Sequence, residues 1–199
     1  MSPATGRRLL LASASARRLA LLRQIGVEPD RVVAPDVDET LRRAESARDA
    51  ARRLAVAKRD CDAVAADGVF VLAVDTVVAC GRRILPKTGD EAVARRHMAL
   101  LSGRRHRVTT AVAVRSPGGI CRERVVTTVV TVKRMTSSEI DWVLAGGEWR
   151  GCAGGYAIQG RFAALVKNIN GSYSNIVGLP LSETAALLDG LGYPVARAG

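Results

Sequence analysis

The sequence is poor in aromatic residues, in histidine and, among its cations, in lysine. Two Phe, two Trp and three Tyr in 199 residues leave few flat faces on which the bases of a nucleic-acid strand could stack. The net charge is +11, but the positive residues run along the whole chain without a basic tail or tract. A specific nucleic-acid partner is therefore not expected, whereas a general preference for anionic ligands is. The two histidines, His97 and His106, lie far from any Cys pair. Cys61, Cys80, Cys121 and Cys152 form no Cys-x-x-Cys spacing. Reduced, buried thiols are expected rather than a disulfide or a zinc site. No apolar stretch approaches the ~20 residues that cross a bilayer. The apolar run near the N-terminus is too short for a signal peptide and is followed at once by serine and arginine. It reads as the first strand of a cytoplasmic protein with no membrane partner. The G-x-x-x-x-G-K-[ST], G-x-G-x-x-G and H-E-x-x-H patterns are all absent. Any hydrolytic chemistry must then come from carboxylates, lysines and backbone amides.

What is present is a globular composition, 48% apolar, with no repeat, linker or low-complexity segment. The length allows one large domain or two small lobes. Strand and helix patterns alternate. "RRLLLAS" reads as a strand, and Ser13–Ile25 as a helix ended by Gly26. "DRVVAPDVDET" begins as a strand and becomes an acidic loop. Residues Glu45–Cys61 carry Ala47, Ala51, Leu54 and Ala55 at helical spacing. "GVFVLAVDTVVACGRRIL" reads as two strands turning at Gly81, and Gly89–Leu101 as a helix. "RHRVTTAVAVRSPGGICRERVVTTVVTVKRM" forms a long β-hairpin around Ser-Pro-Gly-Gly. Ser137–Ala145 is a helix capped by Ser137 or Ser138. A strand is expected at Ala163–Val166, and a last helix from Pro180 with Leu181, Ala185 and Leu188 on one face. The class is mixed α/β with at least one long antiparallel hairpin.

Five segments carry chemistry. In "LLASASARRLALL" an apolar run passes through Ser-x-Ser into a helix whose first turn holds two arginines. Positive charge there opposes the helix dipole, and an anion at the junction would reverse that cost. Asp75 interrupts "VFVLAVDTVVAC", where a lone carboxylate is costly unless it is paired or binds a metal. The loop "PDVDET" adds Asp36, Asp38 and Glu39, oxygen ligands that could complete a site with Asp75. The chain has 26 Arg and only 4 Lys, so each lysine hints that a compact charge is wanted. Lys58 falls on the polar side of its helix, where solvation and a site role are both open. Lys87, in "ILPKTGDE", is placed to meet a phosphate. The fifth segment, "GGYAIQGRFAALVKNINGSYSNIVGLP", is dense in glycine, as close backbone approach to a ligand or a neighbouring chain requires. Its Gln159 carries both a donor and an acceptor that could read a base edge.

Six segments taken together, "LASASARRLALLRQIG", "DVDET", "AVDTVV", "LSGRRHRVTTAVAV", "AGGYAIQG" and "INGSYSNIVGLPLSET", resemble the Maf family of nucleoside triphosphate pyrophosphatases. They run in order over nearly the whole chain. "DT" after the valine and "YAIQG" resemble the dTTP/UTP pyrophosphatase branch. The resemblance implies an elongated α/β fold, similar to that of the inosine triphosphatases. Its mixed sheet would carry antiparallel hairpins, with two lobes around one cleft in a single domain over 1–199. It also implies a homodimer. The serine–arginine turn (Ser13, Ser15, Arg17, Arg18) would hold substrate phosphates. Asp75 would accept the proton from water, with Lys58, Lys87 and Glu39 around the phosphates and a divalent cation, Mg²⁺ or Mn²⁺, bound by Glu39 and Asp75. Arg17, Thr76 and Gln159 match the positions associated with base selection. The implied reaction converts dTTP or UTP to the monophosphate and pyrophosphate.

The chain departs from the family pattern at four places. Ala16 replaces a proline at the first helical position, and Val74 a small residue before the aspartate. Pro86-Lys87-Thr88 replaces Gly/Glu-Lys-Pro, and Cys152 stands where a polar or charged residue is usual. None removes a proposed catalytic group. The positive charge and the altered Lys87 motif motivate the competing expectation, a non-catalytic nucleotide- or nucleic-acid-binding regulator linked to cell division.

Overall fold

The computed structural model describes residues 7–65 and 68–195. Seven strands form one sheet: β1 (Arg8–Ala12), β2 (Arg31–Val33), β3 (Val69–Cys80), β4 (Arg83–Leu85), β5 (Arg105–Arg115), β6 (Cys121–Val132) and β7 (Val166–Asn170). The helices are α1 (Ala16–Gln24), α2 (Ala47–Asp60), α3 (Glu91–Leu101), α4 (Ser137–Gly146), α5 (Tyr173–Val177) and α6 (Leu181–Gly190). The sheet order is β2-β1-β3-β5-β6-β7, with β4 also on β3. β1 runs parallel to both β2 and β3, and every other pairing is antiparallel. The expected mixed α/β class and the long hairpin, β5–β6, are both present.

β3 is covered on both faces, which is why it reads as a nearly unbroken apolar run. Phe70, Leu72, Val74 and Val78 face the main core, with Leu22 of α1, Met98 of α3, Leu144 of α4 and Leu188 of α6. On the opposite face Val71 and Ala73 pack with Leu10 and Val64. Farther along that face Val77 packs with Ala50, Ala51 and Ala55 of α2 and with Ala111 and Ala113 of β5. Alanines at this contact let α2 lie close against the sheet. Successive β3 side chains point to opposite faces, so Asp75 shares the α2 face and Thr76 faces the main core.

Several sequence expectations are corrected. α2 is shorter than Glu45–Cys61, and Ser46 caps it by accepting from the Asp49 amide at 3.1 Å. Ala47 is half-buried, while Lys58 is only 5% exposed. Lys58 therefore lies on the buried side, one turn beyond Leu54 and Ala55, not on a solvated one. α4 is capped by Thr136 in a capping box with Glu139, not by Ser137 or Ser138. Both members of that box satisfy amides that a serine already inside the first turn is not placed to reach. Residues Ala163–Leu165 lie in a 3-10 turn after Gly160, and the strand begins only at Val166. In α6 the buried residues are Thr184, Leu187 and Leu188, with Leu181 and Ala185 half-buried. All four cysteines are free thiols, but only Cys152 is buried, and Cys121 is exposed.

Candidate active site

The site sits where β3 changes neighbours. β1 pairs with β3 up to Ala12–Ala73, and β4 takes over at Val78–Leu85. Across Val74–Val77 that edge of β3 has no strand partner among the described residues. On the other edge β5 pairs continuously, setting Asp75 opposite Ala111 and Thr76 opposite Thr110. The interrupted edge brings Asp75 and Thr76 beside a cleft of about 350 Å³. The turn after β1 lines it, as do Glu39, Lys58, Lys87 and the glycine-rich segment.

On the α2 side, Lys58 joins the two carboxylates. Its Nζ lies 2.6 Å from Asp75 Oδ1 and also donates to Glu39 Oε1. Asp75 is 2% exposed. Lys58 supplies its only side-chain hydrogen bond among the described residues, and this lone contact on Oδ1 leaves Oδ2 open. Lys87 reaches Glu39 Oε2 at 3.5 Å from the exposed loop after β4. Burial alone would raise the Glu39 carboxyl, but the Lys58 hydrogen bond and the charges of Lys58 and Lys87 hold it below its ordinary value. Asp38 is spent on a local turn, accepting from the Thr40 amide at 2.9 Å. Of the acidic loop, then, only Glu39 is brought to the lysines.

On the opposite side lies the serine–arginine turn. Ser15 is the N-cap of α1, yet its side chain makes no capping hydrogen bond. No acidic residue lies in the first turn of the helix, and the amides of Ala16 and Arg17 have no partner within it. Arg17 is half-buried and forms no hydrogen bond or ion pair among the described residues. Arg18 is 7% exposed and held by three hydrogen bonds. Its Nη1 donates to Ser13 Oγ at 2.8 Å, its Nε to the Gly178 carbonyl at 2.9 Å and its Nη2 to Thr76 Oγ1 at 3.1 Å. Burial and the neighbouring Arg17 lower the Arg18 pKa, and Asp75 and Glu39 oppose the shift. The two arginines thus divide their work: Arg18 is built into the wall and Arg17 is left for a ligand.

The far wall is the glycine-rich segment. Gly154 has φ +78°, and a Cβ there would lie 2.8 Å from Val78 Cγ1. The backbone can approach β3 only because that position is glycine. Gln159 is exposed on the cleft lining with no side-chain partner among the described residues. Tyr156, on the same wall, is buried and stacked on Phe162 with ring centroids 4.1 Å apart. Its hydroxyl lies 2.6 Å from His106 Nε2. Burial lowers the His106 pKa to about 4 and raises the Tyr156 hydroxyl well above its ordinary value. Burial also raises the Cys152 thiol, which lines the cleft.

The chain matches the Maf-like protein family over residues 8–191. The chain belongs to the Maf family. Two of its curated relatives are the dTTP/UTP pyrophosphatases of Paramagnetospirillum magneticum and Hyphomonas neptunium. The first is 57% identical over 185 residues, covering 93% of this chain and 97% of the relative. The second is 56% identical over 186 residues, covering 93% and 96%. A more distant solved structure is the nucleoside-triphosphatase/dITP/XTP pyrophosphatase of Mycobacterium abscessus. It shares 19% identity at a TM-score of 0.44, covering 92% of this chain and 93% of that one, a likeness too loose to bear on chemistry.

Every site residue expected of a Maf-family chain, Ser13, Ser15, Arg17, Arg18, Glu39, Lys58, Asp75, Thr76, Lys87 and Gln159, lies in this cleft or directly behind it. Among the described residues no group of three His, Cys, Asp or Glu could hold a metal ion alone. Glu39 and Asp75 nevertheless converge on one cationic position, filled by the Lys58 ammonium. Mg²⁺ usually takes one or two carboxylates beside substrate phosphates; these two have that chemistry, and an ion between them would take the place that the Lys58 ammonium holds. Sequence reasoning missed Thr110, Asn175 and the His106–Tyr156 pair. The polar pair in "RVTTAVAV", inside an otherwise apolar strand, was the available signal for Thr110.

Proposed function

We propose that this Maf-family chain is a nucleoside triphosphate pyrophosphatase that hydrolyses dTTP and UTP to the monophosphate and pyrophosphate. The observation that carries the reading is the convergence, in one cleft, of a buried Lys58–Asp75 pair, a free arginine on an uncapped helix start and an unpartnered amide, Gln159. The names of relatives more than 50% identical over nine-tenths of the chain support the choice of pyrimidine triphosphates.

In this reading the α1 amides, Ser15 and Arg17 hold the phosphates. Gln159 and Thr76 face the base. Asp75 accepts a proton from the attacking water through the oxygen that Lys58 leaves free. Lys58, Lys87 and Arg17 stabilise charge gathering on the departing pyrophosphate. Glu39 and Asp75 would hold a divalent cation, whose chemistry is to neutralise phosphate charge. The family resemblance supports action as a homodimer in the cytoplasm. Among the described residues no helix is long and apolar enough to cross a membrane.

The test is to incubate the protein with each nucleoside triphosphate and Mg²⁺ or Mn²⁺ and to measure pyrophosphate. Release of pyrophosphate and monophosphate, fastest from dTTP and UTP, is expected. Nucleotide binding without release would favour the regulator instead.

A further inference from the structure

Arg18, Thr76, Thr110 and Asn175 form one hydrogen-bonded chain whose direction is fixed at both ends. A guanidinium can only donate and a carbonyl can only accept. Arg18 Nη2 lies 3.1 Å from Thr76 Oγ1, Thr76 Oγ1 lies 3.0 Å from Thr110 Oγ1, and Thr110 Oγ1 lies 3.3 Å from the Asn175 carbonyl. The single Thr110 proton goes to that carbonyl. The contact between the threonines must then use the Thr76 proton. Thr76 thus receives one proton from Arg18 and spends its own inward, so its half-exposed oxygen shows the cleft a lone pair and no donor.

The far end of the chain is held firmly. Asn175 is fully buried, and its Nδ2 donates to the Val108 carbonyl at 3.0 Å and to Thr128 Oγ1 at 2.9 Å. These bonds pin α5 to β5 and β6, and with it the carbonyl that takes the Thr110 proton. Thr110 itself is fully buried opposite Thr76 in the sheet.

This polarity has a chemical consequence, which rests on the proposed substrate class. Uracil and thymine carry an N–H donor at ring position 3, where cytosine carries a lone pair. The Gln159 amide does not settle the choice, because turning it over exchanges its donor and acceptor. We infer that Thr110 is a positioning residue for base selection. By consuming the Thr76 proton through the Asn175 carbonyl, it makes Thr76 an obligate acceptor matched to the ring N3–H of uracil and thymine and repelling cytosine.

The experiment compares kcat/KM for UTP and for CTP in the wild type, Thr110→Val and Thr110→Ser. Valine keeps the β-branched shape but has no hydroxyl, so the Thr76 proton is released to the cleft. The UTP-over-CTP preference should then fall at least ~10-fold, the scale of one mismatched buried hydrogen bond. Serine keeps the hydroxyl and should keep the preference. An unchanged ratio in folded Thr110→Val overturns the inference, and so does an equal collapse in Thr110→Ser. Should Thr110→Val not fold, Thr76→Val removes the acceptor itself from a half-exposed position, and an unchanged ratio there is equally fatal. A wild type that releases no pyrophosphate overturns the proposed function together with the inference. An active wild type whose ratio these substitutions do not move overturns the inference alone.

Discussion

Arg18 and Gly178, 160 positions apart in the chain, are joined by a hydrogen bond of 2.9 Å from the guanidinium Nε to the glycine carbonyl. The bond ties the first turn of α1 to the end of α5. Gly178 has φ +129°, a backbone region that favours glycine, while the nearest Arg18 atom, Nε, would be an ordinary 3.6 Å from an added Cβ. Space is therefore not the constraint there; the backbone is. Gly178→Ala should cost about 1–3 kcal/mol of strain, at roughly 2–4 °C of Tm per kcal/mol for a chain of this size. Relief of that strain turns the carbonyl away from Arg18, so KM for the triphosphate should rise more than kcat falls. Thermal melts and steady-state kinetics on one preparation check both halves.

Asp75 and Lys58 are not equivalent partners. In Asp75→Asn the Lys58 ammonium still has Glu39. In Lys58→Met the buried Asp75 carboxylate loses the one side-chain hydrogen bond that it has among the described residues. Removing one partner of a buried pair costs most when the other is left alone. Both variants should lose at least ~100-fold in turnover. In urea at pH 7, Lys58→Met should be the less stable of the two. Near-native turnover in folded Asp75→Asn would remove the carboxylate from the reaction.

Much of this site was legible because charge in an apolar context is costly. Asp75 breaks a buried strand, and two arginines stand at a helix start with no acid nearby, so each pointed to a partner. Lys58 was not legible in that way. Only the seating of α2 on the small side chains of Ala111 and Ala113 turns it inward toward Asp75. Thr110 and Asn175 were hidden for another reason. Their importance lies in the direction of a hydrogen-bond chain that crosses three elements, and no spacing along the sequence encodes it. The end of α4 shows the local counterpart. Thr136 and Glu139 form a capping box that spacing alone would support, but two neighbouring serines offered equally good local chemistry.

His106 should make stability depend on pH. Burial lowers its pKa from 6.5 to about 4 in the folded chain. Well above pH 6.5 the ring is neutral whether the chain is folded or not, and the group contributes no pH dependence. As pH falls from 6.5 toward 4, the unfolded chain takes up a proton that the folded chain refuses, so stability is lost. The loss from this group should reach roughly 2 kcal/mol by pH 5. His106→Gln cannot titrate but can still meet the Tyr156 hydroxyl. The wild type should therefore lose about that much more than His106→Gln between pH 7 and pH 5, measured by denaturant unfolding. Equal losses would mean that the ring takes up its proton in the folded state.

Gln159 is the clearest test of how the base is held. Its side chain is exposed on the cleft lining and has no partner within the described fold, so its substitution should leave stability within about 0.5 kcal/mol. Gln159→Glu replaces a donor and an acceptor by acceptors alone. A carbonyl of uracil or thymine then loses its donor, at roughly 1–3 kcal/mol. The new negative charge also repels any triphosphate, whatever its base. The readout must accordingly be a ratio. kcat/KM for dTTP and UTP should fall at least ~5-fold further than kcat/KM for ATP and GTP. An equal fall for all four would place Gln159 against the phosphates rather than the base. No fall for any of them would leave it a residue of the turn, with base selection carried by Thr76.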